Sequence, residues 1–327
     1  MIGRSCLVTG GTGFLGSALT RRLIADGARV RVLDNNSRGR AARLADLDGR
    51  FEYVEGDIRD AATVDRACQG IDVLCHLAFI NGTEFFYSKP DLVLDVAVKG
   101  MANVLDAALR HRVPELMVMS SSEVYHEPAR VPTDETVPLT IPDCLNPRYS
   151  YAAGKMISEV MALNSGRHFE RVTIVRPHNV YGPDMGDEHV IPQFVARMKS
   201  LAVRPANPMP FKIQGTGLQT RSFVFVDDFI DGLVLVLEHG EHLGIYHVGT
   251  TEEVSIATLA HMVAEHFERP IEIVPGPAAD GGTNRRCPDI AKVMKLGYQP
   301  RHLLREALPG VVRWYDQHLS KLANVQV

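Results

Sequence analysis

What this sequence lacks excludes several classes of protein before any motif is considered. No stretch of about 18 or more apolar residues runs free of charge, so no membrane-spanning helix is expected. The opening MIGRSCLVTGG enters an apolar strand directly, without the charged segment, long apolar run and small-residue cleavage site of a secretory leader. The five cysteines (Cys6, Cys68, Cys75, Cys144 and Cys287) are odd in number and form no C-x-x-C pair, which predicts free thiols in a reducing cytoplasm. With a formal charge of −4 and scattered Lys and Arg, there is no basic stripe for nucleic acid. His178 and His189 stand in loops outside any H-x-x-x-H or H-E-x-x-H pattern, so no metal is expected, and no G-x-S-x-G elbow marks a serine hydrolase.

What is present reads as a globular α/β chain, with 45% hydrophobic and 23% charged residues. Over residues 1–120, CLVTG, RVRVLD, FEYVEGD, DVLCHLA and ELMVMSS read as short buried strands. Between them, GSALTRRLIADG and VKGMANVLDAALRHR space their apolar residues as amphipathic helices do. This alternation predicts βαβ units and a Rossmann-type, doubly wound parallel sheet. RVTIVRP adds a strand after the helix that carries Tyr151. Beyond Pro177, Pro- and Gly-rich stretches such as RPANPMP and VPGPAADGG signal a smaller second lobe. SFVFVDDFIDGLVLVLE and GIYHVGT read as strand-like or tightly apolar returns to the first domain, before a closing helix around EALPGVVRWYDQHL. The expected division is 1–177 with 223–249 for the first domain, and 178–222 with 250–327 for the lobe.

LVTGGTGFLGS ends a strand and opens a helix, with Gly10, Gly13 and Gly16 at three-residue intervals. Such glycines allow a sharp turn and close approach to a pyrophosphate, whose charge meets the helix N-terminus. Asp34 closes the next strand 18 residues after Gly16, where a carboxylate accepts from an adenosine ribose 2′-hydroxyl. That carboxylate repels the extra phosphate of NADP, so NAD is the expected cofactor, although Arg38 and Arg40 offer a phosphate partners. At the ends of the next strands Asp57 either reaches the adenine or caps the following helix. Leu77 and Ala78 flank the dinucleotide, and His76 reads as a core residue.

In NPRYSYAAGKMISE, Tyr151 precedes Lys155 by four residues and Tyr149 precedes it by six. On a helix only the four-residue spacing puts two side chains on one face, about 5–6 Å apart at Cβ. Tyr151 is therefore the partner of Lys155. A phenol with a pKa of about 10 needs nearby positive charge to abstract a proton at neutral pH.

Together, the glycine turn, SSSEVY, Y-x-x-x-K and RPHNVYGP resemble the extended short-chain dehydrogenase/reductases that modify nucleotide sugars. The resemblance extends to GTGLQTRSFVFVDD and RRCPDIAKVMKLGYQP. It implies Tyr151 as acid/base, Lys155 as its partner and Ser121 as the hydroxyl that orients the proton. It also implies Glu123 in a second acid/base role. The cofactor-binding residues it implies are Gly10, Gly13, Phe14, Leu15 and Gly16 on the turn; Asp34, Asn35, Ser37 and Arg38; Asp57 and Ile58; Leu77 and Ala78; and Tyr151, Lys155, Pro177 and His178. Toward a nucleoside-diphosphate sugar it implies Ser122, Asn179 and Arg221, with Arg285 or Arg286 as a second guanidinium. Val190 lies in HVIPQF, the segment matching the nucleotide lining, and Phe211 is the nearby aromatic for the base.

Dehydratases of the dTDP-glucose type hold Asp and Glu where this chain has Ser122 and Glu123. GDP-mannose dehydratases and UDP-glucuronate decarboxylases look closer, with Thr-Ser-Glu. A 4-epimerase through a transient 4-keto sugar is the first expectation, with 4,6-dehydratase or decarboxylase as alternatives. A non-catalytic NAD-binding scaffold would be expected to lack Ser121, Tyr151 or Lys155. The chain departs from the family pattern at Ala97 for an Asn, His126 for a Gly and Gln214 for an aromatic. The resemblance also implies a homodimer through the helices carrying VKGMANVLDAALRHR and YAAGKMISEVMALN.

Overall fold

The structure is a computed structural model that describes residues 1–203, 205–278 and 281–319. Its first part runs β1 (Ser5–Thr9), α1 (Phe14–Ala25), β2 (Arg29–Asp34), β3 (Glu52–Glu55), α2 (Ala61–Ala67) and β4 (Val73–His76). It continues through α3 (Thr83–Ser88), α4 (Pro90–Asp95), α5 (Met101–Arg110), β5 (Glu115–Met119), α6 (Ser150–Asn164) and β6 (Arg171–Pro177). Then follow β7 (Val180–Tyr181), α7 (Val190–Ala202), β8 (Met209–Ile213), β9 (Thr220–Ser222), β10 (Val224–Phe225), α8 (Val226–His239) and β11 (Gly244–Val248). The chain closes with β12 (Glu253–Ser255), α9 (Ile256–Glu265), β13 (Ile271–Pro275), β14 (Arg285–Arg286), α10 (Ala291–Met294) and α11 (Leu304–His318).

Seven parallel strands form the main sheet in the order β11-β6-β5-β4-β1-β2-β3. This is the doubly wound Rossmann-type arrangement, and the strand order reverses between β1 and β4. Successive residues of a strand face opposite sides: Cys6 and Val8 enter one core with Leu19, Leu23 and Phe229, while Leu7 enters the other with Val104, Val118 and Ile174. Both faces are covered, which is why the strands are apolar throughout rather than alternating.

The run SFVFVDDFIDGLVLVLE is a helix over most of its length, not a strand. Val226, Phe229, Ile230, Leu233, Val234 and Leu237 recur at helical spacing and are buried, and Asp227 and Asp228 occupy the first turn. Its β-branched residues suggested a strand, but burial of one continuous stripe against α1 and β6 decides the conformation. GIYHVGT does contain a strand, β11.

A third apolar cluster joins α7, α9 and α11 with β8 and β13 through Phe194, Phe211, Leu259, Val263, Val311 and Tyr315. We propose the two-lobe division given above, with Ile290, Val293 and Tyr298 of the last segment packing into the first core. Among the described residues no helix is long and apolar enough to cross a membrane.

Candidate functional site

The carboxyl ends of β1, β2, β4, β5 and β6 open onto one cleft of about 380 Å³, at the point where the strand order reverses. Its first wall is the glycine turn. Gly10 holds φ 73°, and a Cβ there would lie 2.7 Å from Ala78 N; a Cβ on Gly16 would lie 2.0 Å from Gly10 O. Only glycine lets the turn, α1 and the end of β4 approach so closely. No side chain caps the N-terminus of α1, so its first amides are left for a ligand.

Asp34 is buried at the end of β2. Its Oδ2 accepts from Thr12 N and its Oδ1 from Asn36 N, both at 2.9 Å. The carboxylate is thereby fixed in place, and it lines the cleft with Asn35, Ser37, Arg38, Asp57 and Ile58. Asp57 does not cap α2, because Asp60 does so by accepting from Ala62 N. Asp57 instead accepts from Asn35 Nδ2 and from Arg59, which holds its carboxyl below the usual range. His76 is a core residue: it is paired with Thr9 Oγ1 at 2.8 Å, and burial, with Lys155 nearby, lowers its pKa to about 3. An uncapped helix end, a crowded glycine turn and a fixed carboxylate together fit the pyrophosphate and adenosine ribose of NAD.

At the centre of the cleft α6 projects Tyr151 and Lys155 from one face, as their spacing predicts. Tyr151 is stacked on Phe86 at 4.8 Å and meets the edge of Phe79 at 5.2 Å. Burial raises its pKa, and its hydrogen bond with Ser121 lowers it. Lys155 is buried beneath it, donating to Met119 O at 2.7 Å with its ammonium 3.8 Å from the Phe79 ring centroid. Burial lowers the lysine's pKa to about 7, while Glu159 one turn further on opposes the shift. Glu159 is itself clamped by Arg176, at 2.5 and 2.8 Å, and accepts from Ser120. Tyr149 packs edge-on against His126 instead, 5.2 Å away.

Two residues beyond Ser121, Glu123 receives both Nη atoms of Arg286, at 2.6 and 3.2 Å. Burial alone would raise this carboxyl's pKa, but the guanidinium holds it down to about 2. Ser122 and Asn179 line the cleft, the latter donating to Ser222 O at 3.0 Å. Arg221 pairs in register with Arg286 but stands behind it, donating to Thr220 O and Thr283 O; burial lowers its pKa to about 10.

Besides Arg221, three expected residues do not reach the cleft. His178 is fully buried against His247, 4.7 Å away, because its neighbours Pro177 and Asn179 take the inward direction. Phe211 is fully buried against Phe194 in the lobe's core, since β8 alternates and its apolar face packs inward. Val190, at the start of α7, packs against that same core. Conversely, Phe79, Phe86, Arg43 and Met185 line the cleft without having been singled out. Phe79 follows Ala78 directly and was open to recognition. Arg43 gave no local signal. Ala97, where the family pattern has Asn, lies against Gly154 of α6, whose added Cβ would be only 2.7 Å away. His126 takes the φ of 51° that a glycine usually supplies, and its carbonyl accepts from Thr283. Among the described residues no group of His, Cys, Asp and Glu is arranged to hold a metal.

The sequence model of the NAD dependent epimerase/dehydratase family matches residues 6–249. UDP-glucuronic acid decarboxylase 1 of Arabidopsis thaliana is 34% identical over 95% of this chain and 70% of its own length. The structure of DesIV, a dTDP-glucose 4,6-dehydratase of Streptomyces venezuelae with NAD bound, superposes with a TM-score of 0.85, at 29% identity over 97% of this chain and 98% of that one. The UDP-glucose 4-epimerase of Thermotoga maritima gives 0.84, at 26% identity over 96% and 99%. This chain is an enzyme that uses NAD, and it belongs to the NAD-dependent epimerase/dehydratase family.

Proposed function

We propose that the enzyme is a nucleotide-sugar 4-epimerase, working in the cytoplasm through a transient 4-keto sugar. The observation that carries this reading is the Ser121, Tyr151 and Lys155 constellation in the NAD cleft, with Glu123, the other candidate base, committed to Arg286. Tyr151 removes the proton of the C4 hydroxyl, and Ser121 orients that hydroxyl through its own bond to the phenol. Lys155, its Nζ 5.8 Å from the Tyr151 ring centroid, would in its protonated form supply the positive charge that favours the phenolate. NAD held in the cleft would supply the hydride acceptor and donor, and epimerisation follows if the 4-keto sugar turns over between the two transfers so that its other face is presented. The phenol then gives the proton back, and no further acid or base is needed.

Elimination across C5 and C6 requires a base for the C5 proton. Glu123 is a weak one while Arg286 holds its pKa at about 2. A second reading, decarboxylation of a nucleotide uronate, is favoured by the Arabidopsis relative and by a chemical argument. A 4-keto uronate is a β-keto acid, which loses carbon dioxide without base. The sequence-derived roles of the residues that do line the cleft, including Asn179 and Arg286 toward the substrate diphosphate, are part of this proposal. So is a homodimer through α6 and the helical segment 98–112 that includes α5, where Val98, Ile157 and Val160 are exposed apolar side chains.

The test is incubation with UDP-glucose, UDP-N-acetylglucosamine, UDP-glucuronate and their dTDP and GDP counterparts in deuterated water, with products analysed by mass and NMR. A C4 epimer with no deuterium at C5 supports the proposal. Release of carbon dioxide establishes the second reading, and deuterium at C5 with loss of water establishes dehydration.

A further inference from the structure

The segment after β2 carries Arg38, Arg40 and Arg43, the place from which guanidiniums receive the 2′-phosphate of NADP. None of the three is free to do so. Arg38 is bidentate on Glu188, at 2.9 and 2.7 Å. Arg40 pairs with Asp184, and Arg43 donates to the same carboxylate at 2.8 Å. Both carboxylates come from the loop between β7 and α7, some 140 to 150 residues further along the chain.

The arrangement is built rather than incidental. Gly82 holds φ 125°, and any Cβ there would lie 2.0 Å from Glu188 Oε2. The Arg38 guanidinium lies over the Phe85 ring at 4.6 Å. Arg43 also donates to Thr12 O at 3.0 Å, and the amide of Thr12 donates to Asp34, so Arg43 adjoins the Asp34 carboxylate through the backbone of a single residue. Asp187 lies among the same side chains. Four carboxylates thus meet three guanidiniums, leaving no surplus positive charge for a phosphate.

We propose that Asp184 and Glu188 are specificity-determining residues for NAD over NADP, acting by occupying the arginines that would otherwise clamp the 2′-phosphate. Asp34 repels that phosphate, and the two distant carboxylates deny it partners. With both removed, guanidiniums outnumber carboxylates and are free for a doubly charged oxyanion, their preferred ligand. The inference concerns only the adenosine end of the cleft and does not depend on which sugar is processed.

The test is competition of NADP and of 2′,5′-ADP against NAD on the full-length chain, comparing wild type with Asp184→Asn/Glu188→Gln. The expected result is a gain of ~10-fold or more in affinity for both probes relative to NAD, one decade of binding constant. Adding Arg38→Met and Arg40→Met should abolish the gain. An unchanged NADP-to-NAD ratio overturns the proposal, as does loss of NAD affinity without a gain for NADP, which would make the pairs struts between segments. A gain that persists without the two arginines overturns it as well. Glu188→Gln alone, which leaves Asp184 with Arg40 and Arg43, provides the same comparison if the double variant does not fold.

Discussion

The two halves of the cleft are built in opposite ways. On the cofactor side, the helix N-terminus is uncapped and the glycine turn is held open by close packing, so backbone donors stand ready for an anion. Around Glu123, polar groups are already satisfied by one another: Glu123 by Arg286, and Asn179 by Ser222 O. The difference teaches where each ligand's binding energy is spent. Under the proposed function NAD would meet a preformed site, whereas a sugar nucleotide would exchange protein hydrogen bonds for its own.

The largest expected effect lies between the halves. Tyr151→Phe should retain NAD while turnover falls by ~10²–10⁴, the usual contribution of a general acid or base; single-turnover kinetics with bound NAD quantified checks both. Comparable activity in the variant would place the acid/base elsewhere.

Next comes the cofactor wall. A Cβ at Gly10 would meet Ala78 backbone at 2.7 and 2.8 Å, in a left-handed conformation. Overpacking of this kind costs about 1–3 kcal/mol, so Gly10→Ala should weaken NAD about tenfold or more, measured by calorimetry. A preformed wall cannot yield, and unaltered affinity would break the contrast between the halves.

The sugar wall should be more forgiving. If the reaction is epimerisation, Glu123→Gln should cost less than ~10-fold in kcat, below the range of an essential base. Its KM should change more than its kcat, because the pairing it relaxes is one the substrate disturbs. A collapse of kcat would make C5 deprotonation the better account.

The smallest effect is on stability. Glu123 has a folded pKa of about 2 against an ordinary value of 4.5, so its contribution is present above the unfolded value and is lost as pH falls through the folded one. Glu123→Gln should therefore flatten the dependence of the unfolding midpoint on pH between about 4.5 and 2. An identical pH slope in the two proteins would mean that Arg286 exerts no hold on the carboxylate in solution.

Legibility follows the same divide. The glycine turn, Asp34 and the Tyr151–Lys155 pair were readable because each depends on neighbours within a few residues: a turn that tolerates no Cβ, a strand end, a helical repeat. The helix of Val226–His239 was misread where β-branched composition and helical spacing disagreed, and packing against α1 settled the matter. Phe211 and His178 were aromatic residues near motifs, but their direction depends on which face of β8 or of the turn after β6 meets a core.

By itself, then, the sequence determined the doubly wound sheet, the glycine turn and the pairing of Tyr151 with Lys155 on one helix face, because the apolar pattern, short-range sterics and the 3.6-residue period set them locally. Only the tertiary structure decided that Arg286 holds Glu123, 163 residues away, and that Asp184 and Glu188 claim the arginines after β2. Charged side chains carry no address in their local sequence. Their partners are fixed by which segments the closing of the cores brings within hydrogen-bonding reach.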